Sequence, residues 1–146
     1  MAIKLGLDAR LYRNTGTYAA PVWNEIKNVK DVTLNLEAGE ADASTRGSLG
    51  WRATVATLKD ASIEFEMVWD TADDDFAAIR DAFLNRAGIE VAVMDGDITV
   101  SGSQGLRALC VISNFSRNEP LEEAITVSVT AKPTFSVNPP AWMTVP

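Results

Sequence analysis

The feature that most constrains this chain is strict alternation. From Ala61 to Trp69, Ile63, Phe65, Met67 and Trp69 interleave with Ser62, Glu64, Glu66 and Val68, the signature of a strand with one face in a core and one in water. The same period of two returns in Asp31 to Glu37, where Val32, Leu34 and Leu36 are set against Thr33, Asn35 and Glu37. It returns again where Ile125, Val127, Val129 and Ala131 are set against Thr126, Ser128 and Thr130. Ile89, Val91 and Val93, and the almost wholly apolar run Leu106 to Phe115, add further strands. Trp51 to Leu58 reads as one more, joined to the next by a turn at Lys59-Asp60. Asp95-Gly96 reads as a hairpin turn feeding a returning strand at Ile98 and Val100.

One segment breaks the pattern. Phe76, Ile79, Phe83 and Leu84 recur at helical spacing; Thr71 or Asp73 can cap, and Asp73, Asp74 and Asp75 sit where a helix dipole favours negative charge. With Gly88 to end it, the reading is a single amphipathic helix over about residues 72–87. Seven or eight strands with one helix favour antiparallel pairing, since only one stretch can serve as a helical crossover. The expected fold is mainly β: an antiparallel β-sandwich or flattened barrel with one flanking α-helix, in a single domain over residues 1–146. Residues 133–146 are proline-rich and read as an extended tail with Trp142 as an anchor.

Composition narrows the chemistry. Histidine is absent, which removes the usual general base, the triads built on it and the commonest transition-metal ligand. Cys110 is the only cysteine, so neither an internal disulfide nor a thiolate cluster can form within one chain; its place in a strand marks it as a small core residue. The net charge is -7, the opposite of what phosphate gripping requires. An acidic surface does suit a conduit in which sticking to DNA would be harmful. No run approaches the roughly 18 uncharged apolar residues of a membrane span, and MAIKLGLDAR lacks the apolar block of a secretion signal, so the product is expected to start in the cytoplasm.

No constellation assembles a catalytic centre, so the chain is expected to be no enzyme, with no catalytic residue, cofactor or metal. Asp73 to Asp75 lack the alternating ligands and bidentate glutamate of a calcium loop. Asp95-Gly96-Asp97 is explained by a turn, and Glu64 with Glu66 by a solvated strand face. Thr15-Gly16-Thr17 and Gly47-Ser48-Leu49-Gly50 are not followed by the lysine and hydroxyl of a phosphate loop. The segment from Ala38 to Gly50, AGEADASTRGSLG, reads as a loop long enough to carry function.

The order of elements carries a resemblance. VKDVTLNLEAGEADASTRGSLGWRATVATLKDASIEFEMVWD, then DDDFAAIRDAFLNR, then IEVAVMDGD, then FSRNEPLEEAITVSVTAKPT together resemble the major tail tube proteins of long-tailed phages with non-contractile tails, over about residues 16–137. The tube protein of type VI secretion is a structural relative of that family. The resemblance implies a self-assembling structural protein of the virion tail, assembled in the bacterial cytoplasm. On that resemblance, hexameric rings are expected to stack into a hollow tube, with DNA conducted as non-specific cargo. It implies the chain itself as main partner, with tail-tip initiator, tape-measure and terminator proteins beside it, and no membrane. Gly39, Glu40, Ala41, Asp42, Ala43, Ser44, Thr45, Arg46, Gly47 and Ser48 become the loop that reaches a neighbouring subunit or ring, and deleting them should abolish assembly. The short polar faces Thr33, Asn35, Glu37 and Thr126, Ser128, Thr130 become the expected bore. The rival readings are a monomeric β-barrel carrying an apolar small molecule, which would need an internal cavity, and the tube protein of a prophage-derived or type VI-like secretion apparatus.

Overall fold

A computed structural model describes residues 3–146; the first two residues of the expected domain lie outside it. Among the described residues there are eight strands and one α-helix. The strands are β1 (Arg10–Asn14), β2 (Trp23–Glu25), β3 (Val29–Asp42), β4 (Thr54–Val68), β5 (Ile89–Met94), β6 (Gln104–Asn118), β7 (Thr126–Pro133) and β8 (Ala141–Thr144). The helix α1 (Asp74–Leu84) lies between β4 and β5. No described helix is long and apolar enough to cross a membrane.

Every pairing is antiparallel, and the path β2-β1-β5-β6-β7-β4-β3 forms one sheet, with β8 added beside the start of β6. The path is open, ending at β2 and β3, so the mainly β fold with a flanking helix is present without closure into a barrel. Ile63, Phe65 and Met67 of β4, Val127, Val129 and Ala131 of β7, and Ala108, Cys110 and Ile112 of β6 share the covered face. Phe76, Ile79 and Ala82 of α1 complete that core, and Trp69 meets Phe76 edge-on at 4.8 Å.

The helix starts where its carboxylates dictate. Asp73 caps it by accepting the Asp75 N–H at 3.3 Å. It ends earlier than expected: Asn85 closes it, and Arg86, not Gly88, takes the left-handed conformation, with φ 54°. Gly88 serves packing instead, since an added Cβ would crowd the Leu109 side chain. Phe83 and Leu84, expected on the core face, are exposed.

Four expectations need correction. The Lys59-Asp60 turn does not exist: one continuous strand, β4, runs through it. A register shift against β3 between Ala38 and Glu40 changes the phase of alternation there, which makes an unbroken strand look like two. The expected Ala38 to Gly50 loop is strand as far as Asp42, so β3 and β4 form one long hairpin arm with its tip after Asp42. Val32 and Leu36 lie on the exposed part of that arm and not in the core. Finally, Ile98 and Val100 do not pair, because the β5–β6 connection stays open until the Asp95 N–H donates to the Gln104 carbonyl and the Gln104 N–H donates to the Asp95 carboxylate.

Candidate assembly surfaces

Alternation places the six residues expected to line a bore on one face of the four neighbouring strands β6-β7-β4-β3. Register fixes this. Thr33 lies opposite Glu64, Asn35 opposite Ser62 and Glu37 opposite Asp60. Across the other side of β4, Glu64 lies opposite Thr130, Glu66 opposite Ser128 and Val68 opposite Thr126. On β6, Asn114, Ser116 and Asn118 continue the same rows. Side chains directly opposite in a sheet share a face, so short hydroxyls, amides and carboxylates cover one surface while the core covers the other. Thr126 stands at the end of its row and is buried; the other five line the open part of the face or its margin.

The charge of this face is one-sided. Asp31, Glu37, Asp60, Glu64 and Glu66 line its two shallow grooves or pair into them, against Lys132 alone. Asn35 donates to the Ser62 hydroxyl at 3.4 Å, which holds the amide against its neighbour. The arrangement offers no nucleophile with a base and no convergent cation, and it presents little to hold a phosphate.

The ten expected loop residues divide into two groups. Gly39, Glu40, Ala41 and Asp42 belong to β3, and Gly39 fits beside Thr57 where a Cβ would crowd its hydroxyl. Ala43, Ser44, Thr45, Arg46, Gly47 and Ser48 form the tip, which is held by its own hydrogen bonds. Asp42 accepts the Ser44 N–H at 2.8 Å, and the Ser44 hydroxyl accepts the Ala53 N–H at 2.8 Å. The bonds to Ser44 hold the Asp42 carboxyl below its ordinary range, so it stays charged. Thr45 and Ser48 cap a short 3-10 turn reciprocally, and Leu49 and Gly50 reverse the chain at φ 56° and 84°.

Four tip and arm residues escaped the sequence reading. Leu49 is 86% exposed, Trp51 80%, Leu58 85% and Val55 52%. Large apolar side chains are thus gathered, uncovered, on one projection of the molecule. The signal was present as the apolar pair flanking Gly50, but Trp51 reads equally well as the start of a buried strand.

The termini add edges and anchors. β8 pairs with β6, so part of the expected extended tail is strand, and the Trp142 indole, 57% exposed, donates to Gln104 at 3.0 Å. On the same stretch of β6, Arg107 lies opposite Ala141 of β8, donates to Glu90 at 2.9 Å and to the Tyr18 carbonyl at 2.7 Å, and lies 3.8 Å over the Tyr18 ring.

Two of the edges left unpaired among the described residues flank the polar face. One is the whole outer side of β3; the other is the second half of β6, because β5 pairs with β6 only from Gly105 to Cys110. Both edges bound the four-stranded polar face.

No curated protein sequence matches the chain. Solved structures do. A chain in the tail of an empty gene transfer agent particle with C6 symmetry superposes with a TM-score of 0.71 at 17% identity, covering 99% of this chain and 100% of that one. The tail tube of SPP1 gives 0.70 at 15% identity, covering 89% and 75%. A chain of the anti-feeding prophage baseplate gives 0.61 at 10%, covering 99% of each. At these identities the similarity is one of fold. A model of the phage tail tube protein family matches residues 9–134, and the chain belongs to that family.

Proposed function

We propose that this chain forms hexameric rings that stack into the tube of a virion tail, with the polar face of β6-β7-β4-β3 lining the bore through which DNA passes. The observation that carries the reading is the pair of free edges on either side of that face. Along the path the four strands alternate in direction, so β3 runs antiparallel to β6. An even number of alternating strands can be repeated around a ring without breaking the alternation: the β3 edge of one copy meets the β6 edge of the next in antiparallel sense. An isolated chain leaves both edges open to uncontrolled pairing, and ring closure removes them.

Size agrees with cargo. Six copies of four strands, spaced ~4.8 Å and tilted ~40°, give a backbone diameter of about 48 Å, which leaves room for a duplex after side chains are added. Five carboxylates to one lysine per copy repel phosphate at every level of the bore, so DNA slides without being held. The gene transfer agent tail, a structure of the same fold, has C6 symmetry, which supports six copies here. The hairpin arm extends this design between rings, and tail-tip initiator, tape-measure and terminator proteins are the partners such a tube requires.

Seeded growth tests the reading. Purified protein added to a tail-tip fraction should elongate into hollow tubes visible by negative-stain microscopy. Replacing residues 44–52 with a two-residue Asn-Gly turn should leave a folded protein that does not elongate. The tip is the sharper target than Gly39 to Ser48, because Gly39 to Asp42 belong to the sheet. A chain that stays solitary with every seed and condition, or tubes of normal length from the tipless variant, would remove the ring or the arm from this account respectively.

A further inference from the structure

The two ends of the hairpin arm are opposite in chemistry. From Ala43 to Ala53 the tip carries Arg46 and Arg52 and no carboxylate, in a chain of net charge -7, and its apolar Leu49 and Trp51 are uncovered. At the root, the segments entering β3 and leaving β4 run into a cleft of about 620 Å³ lined by Glu25, Asp73, Asp74, Asp75 and Asp97 against Arg10 and Lys27, with Tyr12 and Trp23 among its walls. Arg10 is taken up by Glu25 and Asp75 by Arg13, which leaves three carboxylates facing Lys27. Among the described residues, Asp73, Asp74 and Asp97 form no ion pair. The N–H and hydroxyl of Thr99 bond Asp97 and keep it ionised. Between tip and root lie strands of 14 and 15 residues, a separation of about 45 Å at ~3.3 Å per residue.

We propose that the tip of each copy seats in the root cleft of a copy in the next ring, Arg46 and Arg52 meeting its carboxylates while Leu49 and Trp51 pack on its walls. The inference rests on the reading that rings stack. Its support is charge complementarity between two surfaces of one chain, combined with their position at opposite ends of one rigid element. A patch and its complement at opposite ends make a head-to-tail contact, which propagates into an open filament and cannot close into a dimer. The occupant is therefore a second copy of this chain. A tip with two arginines and no carboxylate is also attracted to the acidic body of another copy, which orients the encounter.

Charge reversal tests it. Arg46→Glu with Arg52→Glu should slow seeded elongation by about tenfold or more at low salt, and Asp74→Lys with Asp97→Lys should do the same. All four changes in one chain should restore growth to within about threefold of the unaltered protein, because each copy then presents a reversed but matched pair. Asp74→Lys alone, at an exposed site, serves where the change at Asp97 disturbs its turn. A second measurement is independent of rate: Ser48→Cys with Ala72→Cys, treated with a bismaleimide in assembled tubes, should give a ladder of cross-linked chains, while buried Cys110 stays silent. Tubes that grow normally from the tip-reversed chain, no rescue in the fourfold variant, or no ladder would overturn the docking and leave the ring reading standing. Failure of the unaltered chain to form tubes on a tail-tip seed would overturn the ring reading itself.

Discussion

Arg13 donates from Nε to Oδ1 of Asp75 at 2.8 Å, and both side chains are largely buried. The pair ties β1 to the first turn of α1 across 62 residues of sequence. Removing one partner leaves the other's charge without its neighbour in a poorly solvated place, so Arg13→Met should destabilise by about 2 kcal/mol, short of a fully buried pair because some solvent reaches both groups. Arg13→Met with Asp75→Asn should recover part of that loss. Urea melts of the four proteins check it, and additive losses would show that the two residues are not coupled.

Gly105 lies opposite Met94 where β5 and β6 pair. A Cβ there would fall on the Val93 carbonyl and against the Met94 sulfur, so nothing but a shift of backbone could admit it. Gly105→Ala should cost about 3 kcal/mol through the disturbed β5–β6 ladder, whereas Gly6→Ala, with open space around it, should stay within about 0.5 kcal/mol. Thermal melts compare them directly; equal midpoints would mean that the ladder relaxes freely at Gly105.

Much of the sheet was legible because each strand that buries one face alternates cleanly. Ile63, Phe65 and Met67 named the core side of β4, and Thr33, Asn35, Ser128 and Thr130 named the polar side before any contact was known. β1 was illegible for the opposite reason. Leu11 and Tyr12 are adjacent and both buried, the first in the main core and the second in the smaller cluster with Ala92 and Met94, so a strand covered on both faces shows no period of two. The arm was misread because a bulge shifts phase within it, and because Val32 and Leu36 obey the pattern of buried residues while the isolated chain leaves them open. A period of two alone does not separate a core face from an uncovered one. The root cleft was invisible too, since Glu25, Asp73 and Asp97 come from three separated segments that only the fold brings together.

Burial pushes the Cys110 thiol up to about 12 from an ordinary value near 9. The sign follows from proton counting: between those values the unfolded chain has lost the thiol proton and the folded chain keeps it. This contribution to stability is therefore complete below about pH 9 and is lost as pH rises toward 12. The alkaline fall in stability should be shallower in Cys110→Ala, which itself should lose about 1 kcal/mol at neutral pH from the small cavity left in the core. At pH 8 a thiol reagent should label the native protein only at the rate of unfolding and the denatured protein at once. Rapid native labelling would place the thiol at the surface.

The bore assignment makes a prediction that separates lining from packing. Thr33 is exposed on the polar face and Ser128 half-buried there, each directly across from a β4 glutamate, so lysines at both positions find carboxylates nearby and should leave the fold intact. Repeated through every ring, the change replaces a repelling wall with one that holds phosphates by releasing their counterions. Particles carrying Thr33→Lys with Ser128→Lys should show tubes of normal length by microscopy but release DNA about tenfold more slowly at low salt, with the deficit shrinking as salt rises. Thr33→Glu with Ser128→Glu, which adds to the existing charge, should release DNA at the unaltered rate. Equal release from the lysine and glutamate particles would mean that DNA does not run along this face, and the polar side of β3, β4 and β7 would then belong to the outside of the tube.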